Sequence, residues 1–375
     1  MTIPFLDLAA QHSEIAADVE PAVIDALRKG HFIGGAAVSE FERAYASFVG
    51  VDHAVGVGNG TDALELALRA LGIGRGDEVI LPANTFIATA EAVLRVGADV
   101  VVVDVDPGTL LIDVEAALAA VTRRTRAIMA VHLFGRLAPV EALQDALAGT
   151  DVVVIEDAAQ SQGARRDGRT SGGIGRIAAT SFYPGKNLGA AGDAGAVTTQ
   201  DAELARRVRL MSAHGSERKY EHEVLGFNSR LDAIQAVVLS AKLRRLDAWN
   251  SARREAAQRY MKLLANVPEV QLPDQASDDH VWHVFVVQVD ERERVQASLA
   301  AAGVSTGIHY PTPVHLTPAL RDVVTLGSGL AVAERAAGRI LSLPMYPQLA
   351  PEQIAHVVTA LASATSRSRE AVPVP

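Results

Sequence analysis

The chain has 375 residues, of which 49% are hydrophobic and 21% charged, and its 35 Lys and Arg against 44 Asp and Glu give a formal net charge of −9. This composition excludes a disordered or fibrous chain, and the net negative charge argues against a dedicated binder of nucleic acid or anionic membrane. The absence of cysteine excludes disulfides, thiolate nucleophiles, iron–sulfur clusters and cysteine-based zinc sites.

The N-terminal segment MTIPFLDLAAQHSEI lacks the basic stretch followed by an apolar stretch that is typical of a secretory signal. The apolar runs of the chain are also too short to cross a bilayer. We therefore expect a soluble protein of the cytoplasm.

Over the first 245 residues, short β-branched runs alternate with Ala- and Leu-rich stretches of helical periodicity. Such alternation predicts crossover connections and a largely parallel sheet that helices cover on both faces. The pattern indicates an α/β domain over residues 1–244. Its predicted helices include residues 63–70, 88–95 and 114–120, and its seven predicted strands are residues 54–57, 78–81, 100–104, 127–131, 152–156, 178–182 and 194–199.

The pattern and the composition change after about residue 242. We predict a smaller α+β domain over residues 245–366, followed by a flexible tail over residues 367–375. The elements expected around and within this domain are a long helix at 231–260, a strand at 281–289, helices near 291–302 and 351–363, and Pro-containing loops at 273–279 and 311–318.

The segment GVGNGTDALELAL, residues 56–68, combines glycines at the end of a strand with the start of a helix. Glycines let a phosphate approach the backbone, and Thr61 and Asp62 stand where the N-terminal N–H groups of the helix would be exposed. A well-capped turn without a ligand is the alternative. The dinucleotide-binding pattern fails because Thr61 occupies a required glycine position, which disfavours an NAD-dependent oxidoreductase, and Lys186-Asn187 does not complete a P-loop.

The segment VVVIEDAAQS, residues 152–161, delivers polar side chains to the carboxyl end of an apolar strand. Glu156, Asp157 and Gln160 stand at this end, where open α/β sheets bind their ligands. A partly desolvated carboxylate at that place favours a cationic partner. The alternative is that Asp157 only caps the next helix.

The segment TSFYPGKNLGAAGDAGAV, residues 180–197, presents one lysine in a turn rich in glycine. Lys186 has no charged neighbour in the chain until Asp193, so it is a candidate for a nucleophile that forms an imine. A lysine has an ordinary pKa of about 10.4 and must be desolvated or placed near cations to react at neutral pH. A solvated surface lysine is the commoner alternative.

Two further segments hold candidates for contacts with a ligand. Phe86 follows a strand within ANTFIATAEA, and it could stack on a flat ring or belong to the core. Asn228 and Arg230 precede the long helix in GFNSRLDAIQA, and Arg230 could bind an anion through two hydrogen bonds or lie on the surface.

The segment IHYPTPVHLTPAL, residues 308–320, places His309, Tyr310 and His315 in a loop stiffened by proline. Such loops often carry function, although solvated histidines are the alternative. The remaining histidines, including His280 and His283, lack the spacing of metal ligands. We therefore interpret them as structural and predict no metal site.

Together, a phosphate cradle, a carboxylate at a strand end, an aromatic ring and a lysine fit a single cofactor. Pyridoxal 5′-phosphate has a phosphate, a ring nitrogen that needs a carboxylate, a flat ring face and an aldehyde that bonds to lysine. The sequence therefore predicts an enzyme that depends on pyridoxal 5′-phosphate.

The sequence also resembles the DegT/StrS-type aminotransferases, which act on nucleotide-linked keto-sugars. The resemblance implies the fold type I architecture of aspartate-aminotransferase-like enzymes, with a mostly parallel seven-stranded sheet in the large domain, and a homodimer with active sites at the subunit interface. The matching stretches span nearly the whole chain and are, in order, FLDLAAQHSEI, HFIGGAAVSEFE, GNGTDALELAL, GDEVILPANTFIATA, HLFG, IEDAAQSQGA, SFYPGKNLGAAGDAGAV, GFNSRLDAIQA and HYPTPVHLTPAL.

The resemblance further implies a role for each candidate residue. Lys186 bonds to the cofactor and moves protons, Asp157 pairs with the ring nitrogen, and the two are the implied catalytic residues. The other implied cofactor contacts are Gln160 at the ring hydroxyl, Phe86 on the ring face, and, at the phosphate, Gly60, Thr61, Asp62, Ser181 and an Asn228 lent by the neighbouring subunit. The implied contacts with the sugar or the amino donor are Arg230, His309, Tyr310 and His315.

Lysine at position 186 favours transamination, because relatives that dehydrate sugars carry histidine there. The resemblance thus implies a ping-pong transfer of an amino group from L-glutamate to a keto-sugar nucleotide. The segments FLDLAAQH and HYPTPVHLTPAL look most like those of members that aminate C-3 of a dTDP-3-keto-6-deoxyhexose. The alternatives are a C-4 keto-sugar or cyclitol aminotransferase of the same family, and a non-catalytic regulator that binds the cofactor.

Overall fold

The computed structural model describes residues 1–218, 220–274 and 278–366, so the predicted flexible tail lies outside the described residues. None of the helices in these ranges is both long enough and apolar enough to cross a membrane. The α-helices are α1 Leu8–Ser13, α2 Ala16–Lys29, α3 Ala36–Val49, α4 Gly60–Ala70, α5 Ile87–Arg95, α6 Val114–Ala119, α7 Val140–Ala146, α8 Ala202–Ser212, α9 Ala233–Leu243, α10 Leu246–Leu264, α11 Arg292–Ala301, α12 Ala331–Ala337 and α13 Pro351–Ser366.

The strands form one large sheet, one small sheet and one short hairpin. The large sheet has the order β1-β9-β8-β5-β4-β2-β3-β12, the small sheet has the order β10-β11-β13, and β6 pairs with β7. The strands are β1 His53–Val57, β2 Glu78–Pro82, β3 Asp99–Val103, β4 Thr125–Val131, β5 Val153–Asp157, β6 Arg165–Arg166, β7 Arg169–Thr170, β8 Ile177–Ser181, β9 Gly195–Thr199, β10 Val270–Gln271, β11 Phe285–Val289, β12 Val324–Leu326 and β13 Ile340–Leu343.

The large sheet is mostly parallel, and β9 alone runs antiparallel to its neighbours β1 and β8. The central strands are apolar along their length and buried, as expected where helices cover both faces of a parallel sheet. All seven strands predicted from the sequence are present, each with both ends within two residues of the predicted ones. The predicted α/β architecture is thereby confirmed.

An eighth strand, β12, extends the large sheet beside β3 and comes from the C-terminal part of the chain. Sequence patterning does not reveal it, because it is three residues long and two of the three are exposed. The small sheet, together with α10, α11 and α13, encloses a second apolar core. The division into domains at residues 244 and 245 stays a prediction.

Two other elements differ from the sequence-based expectation. The long helix predicted at 231–260 is divided, since α9 ends at Leu243 and packs on α2 and α3 whereas α10 packs on α13. The strand predicted to begin at residue 281 begins at Phe285. Trp282 has a φ of +49°, which lies outside the β region and prevents an extended chain there.

The N-terminal residues are attached to the C-terminal part of the chain. Ile3 is fully buried in the second core. Its N–H donates to the carbonyl of Gly303 at 2.8 Å, and its carbonyl accepts from the N–H of Ser305 at 3.0 Å. Residues 5 and 6 are thereby held next to the turn that follows β8 and next to residue 309.

Candidate active site

A cavity of about 650 Å³ lies at the carboxyl ends of the parallel strands, the edge where open α/β sheets bind ligands. The start of α4, the start of α5, the turn after β8 and a loop from the C-terminal part of the chain form its walls. Ten of the residues predicted from the sequence line it: Gly60, Thr61, Asp62, Phe86, Asp157, Gln160, Ser181, Lys186, His309 and Tyr310.

The N-terminus of α4 forms a cradle for an anion. Asn59 is the N-cap of this helix, and its Oδ1 accepts from the N–H of Asp62 at 2.8 Å. A Cβ added to Gly60 would lie 2.6 Å from the Cβ of Ser181, so glycine is needed for the end of β8 to approach the helix. The first N–H groups of a helix lack partners within it and attract a phosphate.

Two side chains adjust the charge of this cradle. The hydroxyl oxygen of Ser181 accepts from the N–H of Tyr183 at 3.2 Å, which leaves its hydrogen for an anion. The carboxylate of Asp62 accepts from the Nδ2 of Asn59 at 3.0 Å and lies 3.4 Å from a guanidinium nitrogen of Arg95. These contacts offset the negative charge that Asp62 would otherwise place beside a phosphate.

Asp157 ends β5 as a buried carboxylate with few hydrogen-bond donors. Its Oδ2 accepts from the hydroxyl of Thr89 at 2.8 Å, and its Oδ1 accepts from the N–H of Ala159 at 3.2 Å. Burial raises the pKa of Asp157, and the two hydrogen bonds and the nearby Lys186 offset only part of that increase. The carboxylate would therefore gain from a further cationic partner in the cavity.

Lys186 projects from a tight turn after β8. The backbone N–H of Lys186 donates to the carbonyl of Tyr183 at 2.8 Å. A Cβ on Gly189 would lie 2.3 Å from the carbonyl oxygen of Pro184, so the turn requires glycine. Burial lowers the pKa of the Lys186 amine to about 8, although the Asp157 carboxylate opposes this decrease. A larger fraction of the amine is therefore unprotonated near neutral pH than in an exposed lysine.

Gln160, Tyr310 and Phe86 form one wall of the cavity. The Oε1 of Gln160 accepts from the N–H of Phe134 at 2.6 Å, which directs its Nε2 to the hydroxyl of Tyr310 at 3.1 Å. The rings of Tyr310 and Phe86 lie 5.1 Å apart. Because Phe86 is half exposed, one face of its ring can cover a flat ligand.

His309 lies beside this wall and is neutral at physiological pH. Its ring stacks on that of Phe5 at 5.6 Å, and its Nδ1 lies 2.8 Å from the hydroxyl of Ser342. Burial and the nearby Lys186 lower the pKa of His309 to about 4. His309 can therefore contact a ligand through hydrogen bonds but not through a positive charge.

Three predicted residues do not line the cavity. Asn228 and Arg230 are exposed, and the Nε of Arg230 donates to the Oδ1 of Asn228 at 3.1 Å. His315 lies in a 3-10 turn at Val314–Leu316, and its Nε2 lies 3.0 Å from the Oε1 of Glu334. Its contact with the substrate stays a prediction.

The structure also brings to the cavity residues that sequence reasoning missed. Thr89 stands three residues after Phe86, so helical spacing could have placed it on the same side of α5. No comparable signal in the sequence indicates that His283 lines the cavity. The spacing of the histidines bears only on a metal site, which it disfavours. The missed cavity residues with polar side chains include Thr85, Thr89, Arg95, Asp193 and His283.

Almost the whole chain matches one known family. A sequence profile described as the DegT/DnrJ/EryC1/StrS aminotransferase family covers residues 13–362. The chain belongs to this family. It is an aminotransferase that depends on pyridoxal 5′-phosphate, and the predicted family, enzyme class and cofactor are confirmed.

Individual members of this aminotransferase family are similar over nearly their full length. The chain is 46% identical to the erythromycin biosynthesis sensory transduction protein EryC1 of Saccharopolyspora erythraea, with coverage of 96% of this chain and 99% of that protein. It is 44% identical to a dTDP-3-amino-3,4,6-trideoxy-alpha-D-glucose transaminase of Streptomyces venezuelae, with coverage of 96% and 95%. The crystal structure of S. venezuelae DesV in complex with a ketimine intermediate has a TM-score of 0.94 at 44% identity, with coverage of 98% and 99%.

The cavity of this aminotransferase fits its cofactor. The start of α4 with Ser181 suits the phosphate, the electron-poor ring nitrogen suits Asp157, and the side of Phe86 suits the flat ring. Lys186 supplies a buried amine of lowered pKa. When bound, the cofactor supplies an aldehyde that takes up an amino group and a ring that stabilises negative charge on the adjacent carbon.

Proposed function

We propose that this aminotransferase moves the amino group of L-glutamate to C-3 of a dTDP-3-keto-6-deoxyhexose in amino-sugar biosynthesis. Glutamate becomes 2-oxoglutarate, and the ketone of the sugar becomes an amine. The observation that carries this proposal is that Lys186 and Asp157 line one cavity of a chain that is similar to a named dTDP-sugar 3-transaminase.

Lys186 is the proposed base for both halves of the reaction. An amine with a pKa of about 8 can take a proton from the α-carbon of glutamate and can also return one. Asp157 is the proposed partner of the cofactor's ring nitrogen. Its carboxylate favours a proton on that nitrogen, because a buried negative charge is stabilised by a positive charge next to it.

His309 and Tyr310 are the proposed contacts with the sugar or with glutamate. Gln160 donates to the hydroxyl oxygen of Tyr310, so the hydrogen of that hydroxyl remains available for an oxygen of the substrate. His309 is neutral and contributes hydrogen bonds only. Because His309 brings no positive charge, we propose Arg230 as a cation for the carboxylates of glutamate or the phosphates of the nucleotide.

Asn228 and Arg230 are proposed to act in the cavity of a second copy of the chain. Both are exposed and lie outside the cavity of their own chain. Val224 and Leu225 are exposed a few residues earlier, and Leu225 is 97% exposed. Large apolar side chains on a surface are typical of an interface, so we propose a homodimer with shared sites.

The shared site can be tested by mixing two inactive variants. Lys186→Ala removes the base from the cavity of its own chain. Asn228→Asp adds a negative charge where this side chain would contact the phosphate in the cavity of the other chain. Hybrid dimers should recover activity, because one of their two cavities has both native residues. No recovery after demonstrated subunit exchange would show that Asn228 does not act across an interface.

Two alternatives use the same fold. Amination of a C-4 ketone or of a cyclitol ketone would need the same lysine and carboxylate. A regulatory function is suggested by the name of the EryC1 relative, but an amine of lowered pKa near a carboxylate of raised pKa favours catalysis. We also propose that the enzyme acts in the cytoplasm, since a chain without cysteine is compatible with a reducing compartment.

The experiment that tests the function is a substrate panel. The enzyme is incubated with L-glutamate and a set of keto-sugar nucleotides that differ in nucleotide and in ketone position, and the new amine is located by NMR. We expect product from a dTDP-3-keto-6-deoxyhexose and none with Lys186→Ala. Amination only at C-4 or only of a cyclitol would contradict the proposed position, and no amination with any ketone would favour a regulator.

A further inference from the structure

His283 and Lys186 line the same cavity. We propose that the Nε2 atom of His283 accepts a hydrogen bond from the free amine of Lys186 and thereby orients this amine for proton transfer. His283 is then a positioning residue that acts through Lys186, and it has this role only if Lys186 is catalytic as proposed above. This assignment replaces the interpretation of His283 as a purely structural histidine.

Neighbouring amides fix which ring nitrogen of His283 carries the hydrogen. The Nδ2 of Asn187 donates to the Oδ1 of Asn250 at 2.8 Å and to the carbonyl of Val281 at 2.9 Å, so its Oδ1 is an acceptor. Asn250 is oriented in turn, because its Nδ2 donates to the carbonyl of Gln162 at 2.9 Å. The Nδ1 of His283 lies 3.2 Å from the Oδ1 of Asn187 and must be the donor, which leaves a lone pair on Nε2.

The groups around His283 keep its ring neutral. Burial lowers the pKa of His283 well below 6.5, and the titratable and charged groups that face it, namely Lys186, Arg253, His309 and His280, lower it further. Arg253 lies on α10 and donates to the carbonyl of His283 at 3.3 Å. Because none of these groups is an anion, the ring does not take up a proton near neutral pH and acts as an acceptor.

Lys186 and His283 have complementary atoms without partners. Among the residues that the structure describes, no hydrogen bond reaches the Nζ of Lys186 or the Nε2 of His283. A hydrogen bond between the two would give each of these atoms a partner within the cavity. The four-carbon stem of lysine is flexible enough to turn the amine toward a neighbouring wall.

Such a bond has a predictable effect on the basicity of Lys186. A neutral acceptor stabilises the ammonium more than the amine, so it keeps the pKa of Lys186 higher than burial alone would allow. It also fixes one N–H and so directs the lone pair of the unprotonated amine away from His283. Loss of the acceptor should therefore lower the pKa of Lys186 in the cofactor-free protein, where the amine is free.

Two substitutions at position 283 distinguish the effect of the acceptor atom Nε2 from that of the other ring atoms of His283. His283→Asn places an amide nitrogen where Nδ1 stands and can keep the bond to Asn187, but it has no atom at Nε2. His283→Gln reaches the position of Nε2 with an amide oxygen. The full-length cofactor-free proteins are acetylated with acetic anhydride between pH 6 and 10, and the Lys186 peptide is quantified by mass spectrometry against the peptide of the exposed Lys262.

We expect the pKa of Lys186 to be about one lower in His283→Asn than in the wild type, and to be the same in His283→Gln as in the wild type. An unchanged pKa in His283→Asn would overturn the hydrogen bond. An equal decrease in both variants would overturn it as well, because the effect would then follow from lost packing of the ring.

The wild-type protein offers a second measurement that needs no variant. NMR of the protein labelled with ¹⁵N-histidine should show a neutral His283 ring at pH 7 with its hydrogen on Nδ1. A hydrogen on Nε2 would overturn the assignment even if the variants did not fold. Neither measurement requires turnover, so a negative result here leaves the sugar substrate panel to decide the proposed function separately.

Discussion

Glu156 and Asp157 are adjacent on β5 and both are buried, yet the two faces of the sheet surround them differently. Glu156 accepts from three backbone N–H groups within residues 172–175 at 2.7 to 2.8 Å, and its Oε2 lies 2.8 Å from the Nε2 of His132. Burial alone would raise the pKa of Glu156, but the hydrogen bonds, with that from His132 foremost, lower it overall.

Asp157 faces the cavity and has only two donors, the hydroxyl of Thr89 and the N–H of Ala159. Burial therefore dominates and raises the pKa of Asp157. The comparison teaches that burial alone does not distinguish a functional carboxylate from a structural one. The distinguishing feature is the number of donors that the protein itself supplies, because a carboxylate with few of them keeps its capacity for a ligand.

The largest expected effect that tests this comparison is that of Asp157→Asn. Asparagine cannot stabilise a positive charge on the cofactor's ring nitrogen, so kcat should fall about 10³-fold. The free energy of unfolding of the cofactor-free protein should not decrease, because a buried charge with few donors is removed. Steady-state kinetics and urea unfolding measure the two quantities. Near-normal turnover would show that Asp157 is not the functional member of the pair.

Glu156→Gln should have the opposite profile. The amide of glutamine cannot accept all four hydrogen bonds, and its NH₂ would face donors, so the free energy of unfolding should decrease by about 3 kcal/mol. The kcat per folded molecule should change only a few-fold. A variant as stable as the wild type would contradict the structural role of this carboxylate.

Thr89→Val should have a smaller effect on catalysis. It replaces the hydroxyl that donates to Asp157 by a methyl group of similar size, so the pKa of Asp157 should rise further and kcat should fall about 10-fold. Thr89→Ser keeps the donor and serves as the control. Equal activities of the valine and serine variants would show that this hydrogen bond does not matter.

The smallest expected effect concerns a neutral buried group, His280, which stacks on Trp282 at 3.8 Å and accepts from its N–H at 3.0 Å. Burial lowers the pKa of His280 from 6.5 to about 3. Its contribution to stability is thus present above pH 6.5 and is lost as the pH falls toward 3. Between pH 6.5 and 5.5 the loss should be about 1 kcal/mol.

This pH dependence can be measured by urea unfolding of the cofactor-free protein at the two pH values. His280→Gln should remove the part of the decrease in the free energy of unfolding that His280 causes, since glutamine does not titrate. A slope that is identical in the wild type and in His280→Gln would contradict a neutral buried His280.

The seven strands and ten of the cavity residues could be predicted because their signals are local. An apolar run marks a buried parallel strand. Asp157 ends one such strand, and Lys186 lies in the turn that follows another. His283 could not be assigned in this way, because its partner Asn187 is 96 residues away in the chain. The division of the predicted long helix into α9 and α10 could not be predicted either, because it depends on the different helices that pack against the two halves.

The attachment of Ile3 to Gly303 and Ser305 has a consequence for the order of events during protein synthesis. The ribosome makes the N-terminal arm first, but its pairing partner emerges only after four-fifths of the chain. Phe5 can therefore stack on His309 only near the end of translation. The part of the cavity lining that Phe5 and His309 form is therefore completed late. A nascent chain cannot enclose a small molecule in the way the finished protein does.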